Sequence, residues 1–120
     1  MRKTIFIVED DPDILELMQI VVENEGYNVR TFINAERAEK ELELEQPDLL
    51  IMDLYVGEKD GAKIVKNLKR KKDTKKIPVI IVSAKNSLEE IAQDCKADGY
   101  LKKPFNIKDL TLLLSNLLVK

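Results

Sequence analysis

The sequence predicts one α/β domain with a parallel sheet and helices on both faces of that sheet. Five short strand-like runs alternate with five longer segments in which apolar residues recur at helical spacing, an alternation typical of βαβ units. Three of the runs are continuously apolar, as strands covered on both faces must be. The length of 120 residues suits one domain and is too short for two ordinary ones. We therefore expect a single domain over residues 1–120.

The strand order follows from the polarity of each run. The first, third and fourth runs are apolar throughout, whereas the second and fifth contain polar residues and are expected at the sheet edges. This placement gives the order 2-1-3-4-5, the flavodoxin-like arrangement of a doubly wound (βα)5 sheet. The predicted strands cover residues 4–8, 28–32, 49–53, 79–82 and 99–102.

The helices are predicted from apolar spacing and from capping residues. Asp11 before Pro12 is typical of an N-cap followed by proline at the first helical position. Ser87 and Glu90 have the spacing of a capping box. The predicted helices cover residues 12 to about 25, 35 to about 45, 61 to about 72, 88 to about 95, and 107–119. The apolar stripe of the last helix comprises Ile107, Leu110, Leu113, Leu114, Leu117 and Leu118, with Leu112 off the core face.

Composition excludes several classes of function. The chain has 20 Lys+Arg against 22 Asp+Glu and a formal charge of −2, so direct nucleic-acid binding by this chain is not expected. It has no histidine, which excludes Ser-His-Asp and Cys-His catalysis, and its single cysteine, Cys95, excludes an internal disulfide. No signal peptide and no run approaching the ~18 apolar residues of a membrane span is present, so we expect a cytoplasmic protein without membrane contact.

Acidic residues follow two neighbouring strands of the predicted sheet. Glu9, Asp10 and Asp11 come after the first strand, and Asp53 ends the third. Ligand sites of open parallel sheets lie at the carboxyl ends of the strands, so these acids should converge there. Carboxylates so close need a cation, and Mg²⁺ (or Mn²⁺) takes oxygen ligands of this kind. With Lys103 nearby, the charges of Glu9, Asp10, Asp53 and the ion cancel.

Asp53 is the candidate nucleophile of this site. An aspartate carboxylate beside a divalent ion can attack phosphorus and form an acyl phosphate. The ion and Lys103 would stabilise the charge on the transferring oxygens. Because a carboxylate has no proton to lose, the absence of histidine is no obstacle.

The residues at the ends of the predicted strands form motifs that resemble those of a known family. The chain is similar, over essentially its whole length, to the receiver domains of two-component response regulators. The motifs that carry the resemblance are VEDD at residues 8–11, MDL at 52–54 with DG at 60–61, PVIIVSA at 78–84 and DGYLKKPF at 98–105.

The resemblance implies a phosphoacceptor and a metal site. Asp53 would receive its phosphoryl group from a histidine on a sensor histidine kinase or a histidine phosphotransfer protein. Asp10, Asp53 and the backbone carbonyl of Tyr55 would ligate Mg²⁺ directly, with Glu9 acting mainly through water. Activity would be limited to self-phosphorylation and autodephosphorylation, not the turnover of an external substrate.

The resemblance also implies a switch. Lys103, aimed by a cis peptide bond to Pro104, and the hydroxyl of Ser83 would contact the phosphoryl group. Tyr100 would then move from an exposed to a buried rotamer and change the surface of the fourth helix, fifth strand and fifth helix. That surface would control a partner, an output domain or a phosphorylation-dependent homodimer. Independently of the resemblance, the position of Leu112 off the core face of the last helix indicates a contribution to a partner or dimer surface.

Two positions depart from the family pattern, and two more flank the expected phosphoryl position. Ser83 stands where threonine is commoner, and Gly57 stands where proline is frequent. Tyr55 and Lys85 flank the expected phosphoryl position and should affect the access of water, in a direction the sequence leaves open.

We do not expect an output domain in this sequence, because the last predicted helix leaves no length for one and such a domain needs roughly 50 residues. A stand-alone receiver and a receiver cut from a larger regulator or hybrid kinase both stay open.

The sequence leaves two alternative functions open. The first is a haloacid-dehalogenase-like phosphotransferase, which would use the motif Asp11-Pro12-Asp13. Under this alternative, replacing Asp11 would abolish activity, whereas under the receiver hypothesis replacing Asp53 would abolish it. A receiver-like module that binds partners without being phosphorylated is the second, and the complete acid, serine and lysine set argues against it.

Overall fold

The structure is a computed structural model that describes residues 2–118. At its centre is a five-stranded sheet in which every pairing is parallel. The strands are β1 (Thr4–Val8), β2 (Asn28–Phe32), β3 (Leu49–Asp53), β4 (Tyr55–Val56), β5 (Lys59–Asp60), β6 (Val79–Ser83) and β7 (Gly99–Lys102). The helices are α1 (Pro12–Asn24), α2 (Ala35–Leu44), α3 (Gly61–Arg70), α4 (Leu88–Cys95) and α5 (Ile107–Leu117).

The sheet has the order β2-β1-β3-β6-β7. Since β6 and β7 are its fourth and fifth strands along the chain, the predicted order 2-1-3-4-5 is confirmed. Strands β3 and β6 are buried at every position, and β1 at every position except its first. The edge strands β2 and β7 each have one buried residue, Phe32 and Leu101, and their other residues are exposed or partly exposed. The polarity of each run therefore set its place in the sheet.

Two apolar layers cover the two faces of the sheet. Successive side chains of a strand point to opposite faces, so that Phe6 and Val8 of β1 join one layer and Ile5 and Ile7 join the other. The first layer includes buried residues of α2, α3 and α4, and the second includes those of α1 and α5. Cys95 lies buried in the first layer. None of the helices described in residues 2–118 has the length and apolarity that crossing a membrane requires.

Most helix starts agree with their sequence signals. The side chain of Asp11 accepts hydrogen bonds from the backbone N–H groups of Asp13 and Ile14, at 2.9 and 3.3 Å. Asn34 and Asn106 cap α2 and α5 in the same way. The capping box at Ser87 is wrong: α4 begins after it, but its side chain makes no capping hydrogen bond.

Helix ends and one inward position differ from expectation. Helices α1, α2 and α3 end one or two residues earlier than predicted, at Asn24, Leu44 and Arg70. Helix α5 ends at Leu117, and the predicted last residue, 119, lies outside the described residues. Ile107 was expected in the core but is 52% exposed, because the first turn of α5 extends past the layer that Leu110 and Leu114 fill.

A small hairpin between β3 and α3 was not predicted. Strands β4 and β5 pair antiparallel, with Tyr55 opposite Asp60 and Val56 opposite Lys59. Gly57, the first residue of the two-residue turn, has φ 63°, a left-handed value that favours glycine. The hairpin begins two residues after Asp53, at Tyr55, and so borders the carboxyl end of the sheet.

Candidate functional site

The ends of β1 and β3 bring three carboxylates together. Val8 and Met52 are partners in the β1–β3 pairing, so Glu9 and Asp53 follow side by side. One carboxylate oxygen each from Glu9, Asp10 and Asp53 lies within 4.8 Å of the others. Glu9 is 1% and Asp53 7% exposed, whereas Asp10 is exposed. The three acids form a cluster in which Glu9 and Asp53 are buried and Asp10 is exposed. The cluster lies at the point in the sheet where the chain order of the strands reverses.

Lys103 reaches this cluster from the segment after β7. Its Nζ atom lies 2.9 Å from Oε1 of Glu9 and 3.5 Å from Oδ2 of Asp53. The backbone N–H of Lys103 donates to the carbonyl of Ser83 at 2.9 Å, which ties the segment to the end of β6. The peptide bond between Lys103 and Pro104 is cis.

The buried charges shift one another's protonation. Burial, and then the negative charge of Glu9, raise the pKa of Asp53 to about 7, although Lys103 opposes them. Burial lowers the pKa of Lys103, but the attraction of Glu9 and Asp53 outweighs it and holds that pKa above its usual value. Three acids with one ammonium group leave an excess of negative charge in a partly buried site.

The donor set fits a divalent cation. Oε1 of Glu9 is buried and has the Lys103 ammonium nearby, yet no donor within residues 2–118 makes a hydrogen bond to it. Asp10 is exposed, and its Oδ2 accepts a hydrogen bond from the backbone N–H of Gly57 at 3.0 Å. Carboxylate oxygens with free lone pairs are the ligands that Mg²⁺ prefers. One doubly charged ion would cancel the excess charge.

Ser83 and Lys85 complete the wall opposite the acids. Ser83, 5% exposed, follows Val82, the partner of Asp53 in the β3–β6 pairing. Its Oγ accepts a hydrogen bond from the backbone N–H of Lys85 at 3.1 Å. The Nζ of Lys85 lies 5.0 Å from the centre of the Tyr55 ring. A depression of about 470 Å³ is lined by Asp53, Tyr55, Ser83, Ala84, Lys85 and Lys103.

The DG motif supports the strand end that carries Asp53. Asp60 caps α3, with its Oδ1 accepting from the N–H groups of Ala62 and Lys63. The N–H of Gly61 donates to the carbonyl of Leu54 at 2.6 Å. A Cβ atom at Gly61 would lie 2.5 Å from the backbone oxygen of Asp53. The sequence identifies the DG motif but does not predict the close contact of Gly61 with the end of β3. The glycine itself is the sequence feature that could have indicated this contact.

The structure thus gathers Glu9, Asp10, Asp53, Ser83 and Lys103 around one opening. Tyr55 lies at its rim, 46% exposed. The side chains of two other residues named from the sequence lie outside the acid cluster, although the backbone N–H of Asp11 donates to Oε2 of Glu9 at 3.1 Å. Tyr100 is on edge strand β7, opposite Ile81 of β6, and is 42% exposed. Asp11 is occupied as the cap of α1.

Comparisons with known proteins agree with this geometry. The family model of the response regulator receiver domain matches residues 5–115. The transcriptional regulatory protein KdpE of Staphylococcus aureus is 34% identical over 112 residues, 92% of this chain and 47% of KdpE. This chain spans about half the length of the curated relatives it matches.

Solved structures show the same fold. The signal receiver domain of a signal transduction histidine kinase from Syntrophus aciditrophicus matches with a TM-score of 0.89 and 31% identity, over 97% of this chain and 89% of that one. The receiver domain of a sensor histidine kinase from Pseudomonas aeruginosa matches with a TM-score of 0.86 and 23% identity, over 98% of both chains, and contains a magnesium ion in its active-site cleft. With the family match over nearly the whole sequence and a sheet of the same topology, this chain belongs to the receiver domains of two-component response regulators, which are signalling domains.

Proposed function

We propose that this receiver domain is a phosphorylation-controlled switch in which Asp53 accepts a phosphoryl group from a histidine. The donor is a sensor histidine kinase or a histidine phosphotransfer protein. One observation carries the proposal: the carboxylate of Asp53 ends a buried strand within reach of two other carboxylates and of the Lys103 ammonium. The single ammonium group of Lys103 cannot balance three carboxylates, so a purely structural ion pair does not account for the cluster.

The acid cluster is the site we assign to Mg²⁺ or Mn²⁺. Asp10 and Asp53 would hold the ion directly, and Glu9 mainly through water. When bound, the ion neutralises the acids and the oxygens of the incoming phosphoryl group. The magnesium ion of the Pseudomonas aeruginosa neighbour supports this assignment by similarity of fold.

The backbone carbonyl of Tyr55 is the further ligand we assign. Hydrogen-bonded and non-bonded residue pairs alternate along an antiparallel ladder. Since the N–H of Gly61 donates to the carbonyl of Leu54, the next pair, Tyr55 with Asp60, is a non-bonded one. The carbonyl of Tyr55 is therefore not used by the hairpin and is free to accept from another group.

The transfer itself needs little from the protein beyond charge and position. A carboxylate oxygen of Asp53 attacks phosphorus, the bond from phosphorus to the histidine nitrogen breaks, and the nitrogen leaves with the electron pair. Lys103 favours the ionised form of Asp53 before the step and contacts the phosphoryl oxygens after it. Because the pKa of Asp53 stands at about 7, its ionised fraction at neutral pH depends on this positive charge.

Ser83 and Tyr100 are the residues we assign to the switch. The hydroxyl of Ser83 accepts a bond from Lys85 but keeps its own proton, which can be donated to a phosphoryl oxygen. That bond would draw the segment after β6 towards Asp53. A groove of about 530 Å³ beside Tyr100, between α4 and β7, gives its ring room to leave the surface. The surface of α4, β7 and α5 would then control an output domain, a partner or a homodimer.

Intact mass spectrometry tests the proposal. Incubation with Mg²⁺ and phosphoramidate should add the mass of one phosphoryl group, which hydroxylamine should remove. The gain should vanish with EDTA and in Asp53→Asn. Asp60→Asn is the matched control, since Asp60 is an exposed acid near the site that only caps α3, and asparagine also caps well. A gain that survives in Asp53→Asn, or no gain in the unaltered chain, would contradict the proposal.

The alternative nucleophile, Asp11, is disfavoured by its contacts. Its side chain accepts from two backbone N–H groups at the start of α1, and it lies outside the acid cluster. An exposed capping acid of this kind has a sufficient structural role.

A further inference from the structure

We propose that the backbone N–H of Gly57 positions the Asp10 carboxylate for the divalent cation and thereby raises the affinity of the site for Mg²⁺. The inference rests on the proposed metal site and adds a group outside the acid cluster. Gly57 is a positioning residue here, because it acts on the ion only through Asp10.

The observation is a hydrogen bond between distant parts of the chain. The nitrogen of Gly57 lies 3.0 Å from Oδ2 of Asp10, across 47 positions of sequence. No other residue in the described part of the chain donates a hydrogen bond to this carboxylate. Asp10 is exposed, so without the bond its side chain would rotate freely and lose that freedom on binding an ion.

The hairpin holds the donor in place. Gly57 has φ 63°, and Glu58 after it has no positive φ, which together are features of a type II′ turn. Two further contacts fix the base of the hairpin: the pairing of Tyr55 with Asp60 and the hydrogen bond from Gly61 to Leu54. The hairpin thus links the acid after β1 to the end of β3.

The bond leaves the carboxylate able to bind an ion. Oδ2 is engaged by Gly57, whereas Oδ1 receives no hydrogen bond from residues 2–118. A donor that orients a ligating carboxylate typically contributes tenfold to a hundredfold in metal affinity. Because Asp10 is on the surface, we expect the lower end, about tenfold.

An amide-to-ester change tests the N–H without altering the turn. The full chain is prepared by chemical synthesis with glycolic acid in place of Gly57, which deletes the N–H and keeps the freedom of φ. Glycolic acid in place of Gly26 is the matched control: Gly26 also has a positive φ, and its N–H donates to the carbonyl of Glu23 at the end of α1, far from the acids.

Calorimetric titration with Mg²⁺ alone gives the readout, and urea unfolding without metal checks that each chain is folded. The ester at residue 57 should bind Mg²⁺ about tenfold more weakly than the unaltered chain, while the ester at residue 26 binds it within twofold. Hydrogen exchange of the Gly57 amide should also be faster in Asp10→Ala, with exchange at Gly26 unchanged.

Four outcomes would overturn the inference. Equal affinity of the ester at residue 57 would show that the N–H does not position Asp10, and tighter binding would show that it competes with the ion. Unchanged hydrogen exchange of the Gly57 amide in Asp10→Ala would show that the hydrogen bond between Gly57 and Asp10 does not form in solution. If the unaltered chain binds no Mg²⁺, both the proposed metal site and this inference are wrong. If the unaltered chain binds Mg²⁺ and the ester at residue 57 binds it equally well, only the inference about Gly57 is wrong.

Discussion

The Nζ atom of Lys103 lies 3.5 Å from Oδ2 of Asp53, across 50 positions of sequence. The same ammonium group lies 2.9 Å from Oε1 of Glu9. Lys103 is therefore a counter-ion for the acids before any phosphoryl group arrives. Its role at the site begins with the electrostatics of the resting domain.

Lys103→Met should slow phosphorylation of Asp53. The substitution removes the positive charge that favours the ionised carboxylate and that stabilises the transferring oxygens, so we expect a fall of about a hundredfold in rate. The time course of intact mass with phosphoramidate and Mg²⁺ measures it. Lys102→Met is the matched control, because the neighbouring Lys102 instead bonds Asn86 on the surface. Equal phosphorylation rates for Lys103→Met and Lys102→Met would show that Lys103 does not assist the transfer.

Stability without metal should fall as the pH rises towards neutrality. The pKa of Asp53 is about 7 in the folded chain, against 3.8 for an ordinary aspartate. Between these values the folded state binds more protons than the unfolded state, so the free energy of unfolding decreases with pH. Asp53→Asn removes this loss and should be more stable than the unaltered chain at pH 8, by about 1–3 kcal/mol after allowance for partial solvation.

Urea unfolding in EDTA at pH 5 and pH 8 measures that difference. The gain from Asp53→Asn should be larger at pH 8 than at pH 5, where the unaltered carboxyl is mostly protonated when folded. A gain that does not change with pH would show that Asp53 titrates normally.

Ser83→Ala should separate phosphorylation from its structural effect. The hydroxyl lies beside Asp53 but is not needed for attack, so we expect phosphorylation within about tenfold of the unaltered rate. The bond that draws in the segment after β6 would be lost. NMR spectra of the phosphorylated chains should therefore show shifts at Tyr100 in the unaltered chain and in Ser83→Thr, but not in Ser83→Ala. Full shifts in Ser83→Ala would place the switch elsewhere.

Gly61→Ala should destabilise the domain at the base of the site. The added Cβ would lie 2.5 Å from the Asp53 oxygen and 2.8 Å from the Leu54 oxygen, both backbone atoms that cannot move aside cheaply. We expect a loss of about 1–3 kcal/mol in the free energy of unfolding, measured with urea. Gly57→Ala is a useful comparison, since it has open space around its Cβ position and suffers only from its positive φ. An equal or smaller loss at Gly61 would mean that the close approach is not rigid.

The sheet and the membership of the acid cluster could be predicted because both depend on one-dimensional patterns. Continuously apolar runs have to be central strands, and residues that follow parallel strands have to meet at one edge. The placement of Glu9, Asp10 and Asp53 needed no more than this. Lys103 was expected near the phosphoryl position, but its ion pair with Glu9 depends on side-chain geometry that no spacing contains.

The hairpin and the exposed start of α5 could not be predicted for physical reasons. Strands of two residues have no periodicity, and the bond from Gly57 to Asp10 joins a backbone group to a side chain far away in sequence. Ile107 has the spacing of the core stripe, but it precedes the point where α5 meets the sheet. Ser87 has the right residue type for a cap, yet local backbone geometry leaves its side chain unused.

Locating the phosphoryl group within the chain tests the central claim most directly. After reaction with phosphoramidate and Mg²⁺, borohydride reduces an aspartyl phosphate to homoserine, and peptide mapping by mass spectrometry identifies the reduced residue. Our account predicts homoserine at position 53, with position 11 unchanged. Homoserine at position 11, or at no acid of the chain despite a gain in intact mass, would contradict it.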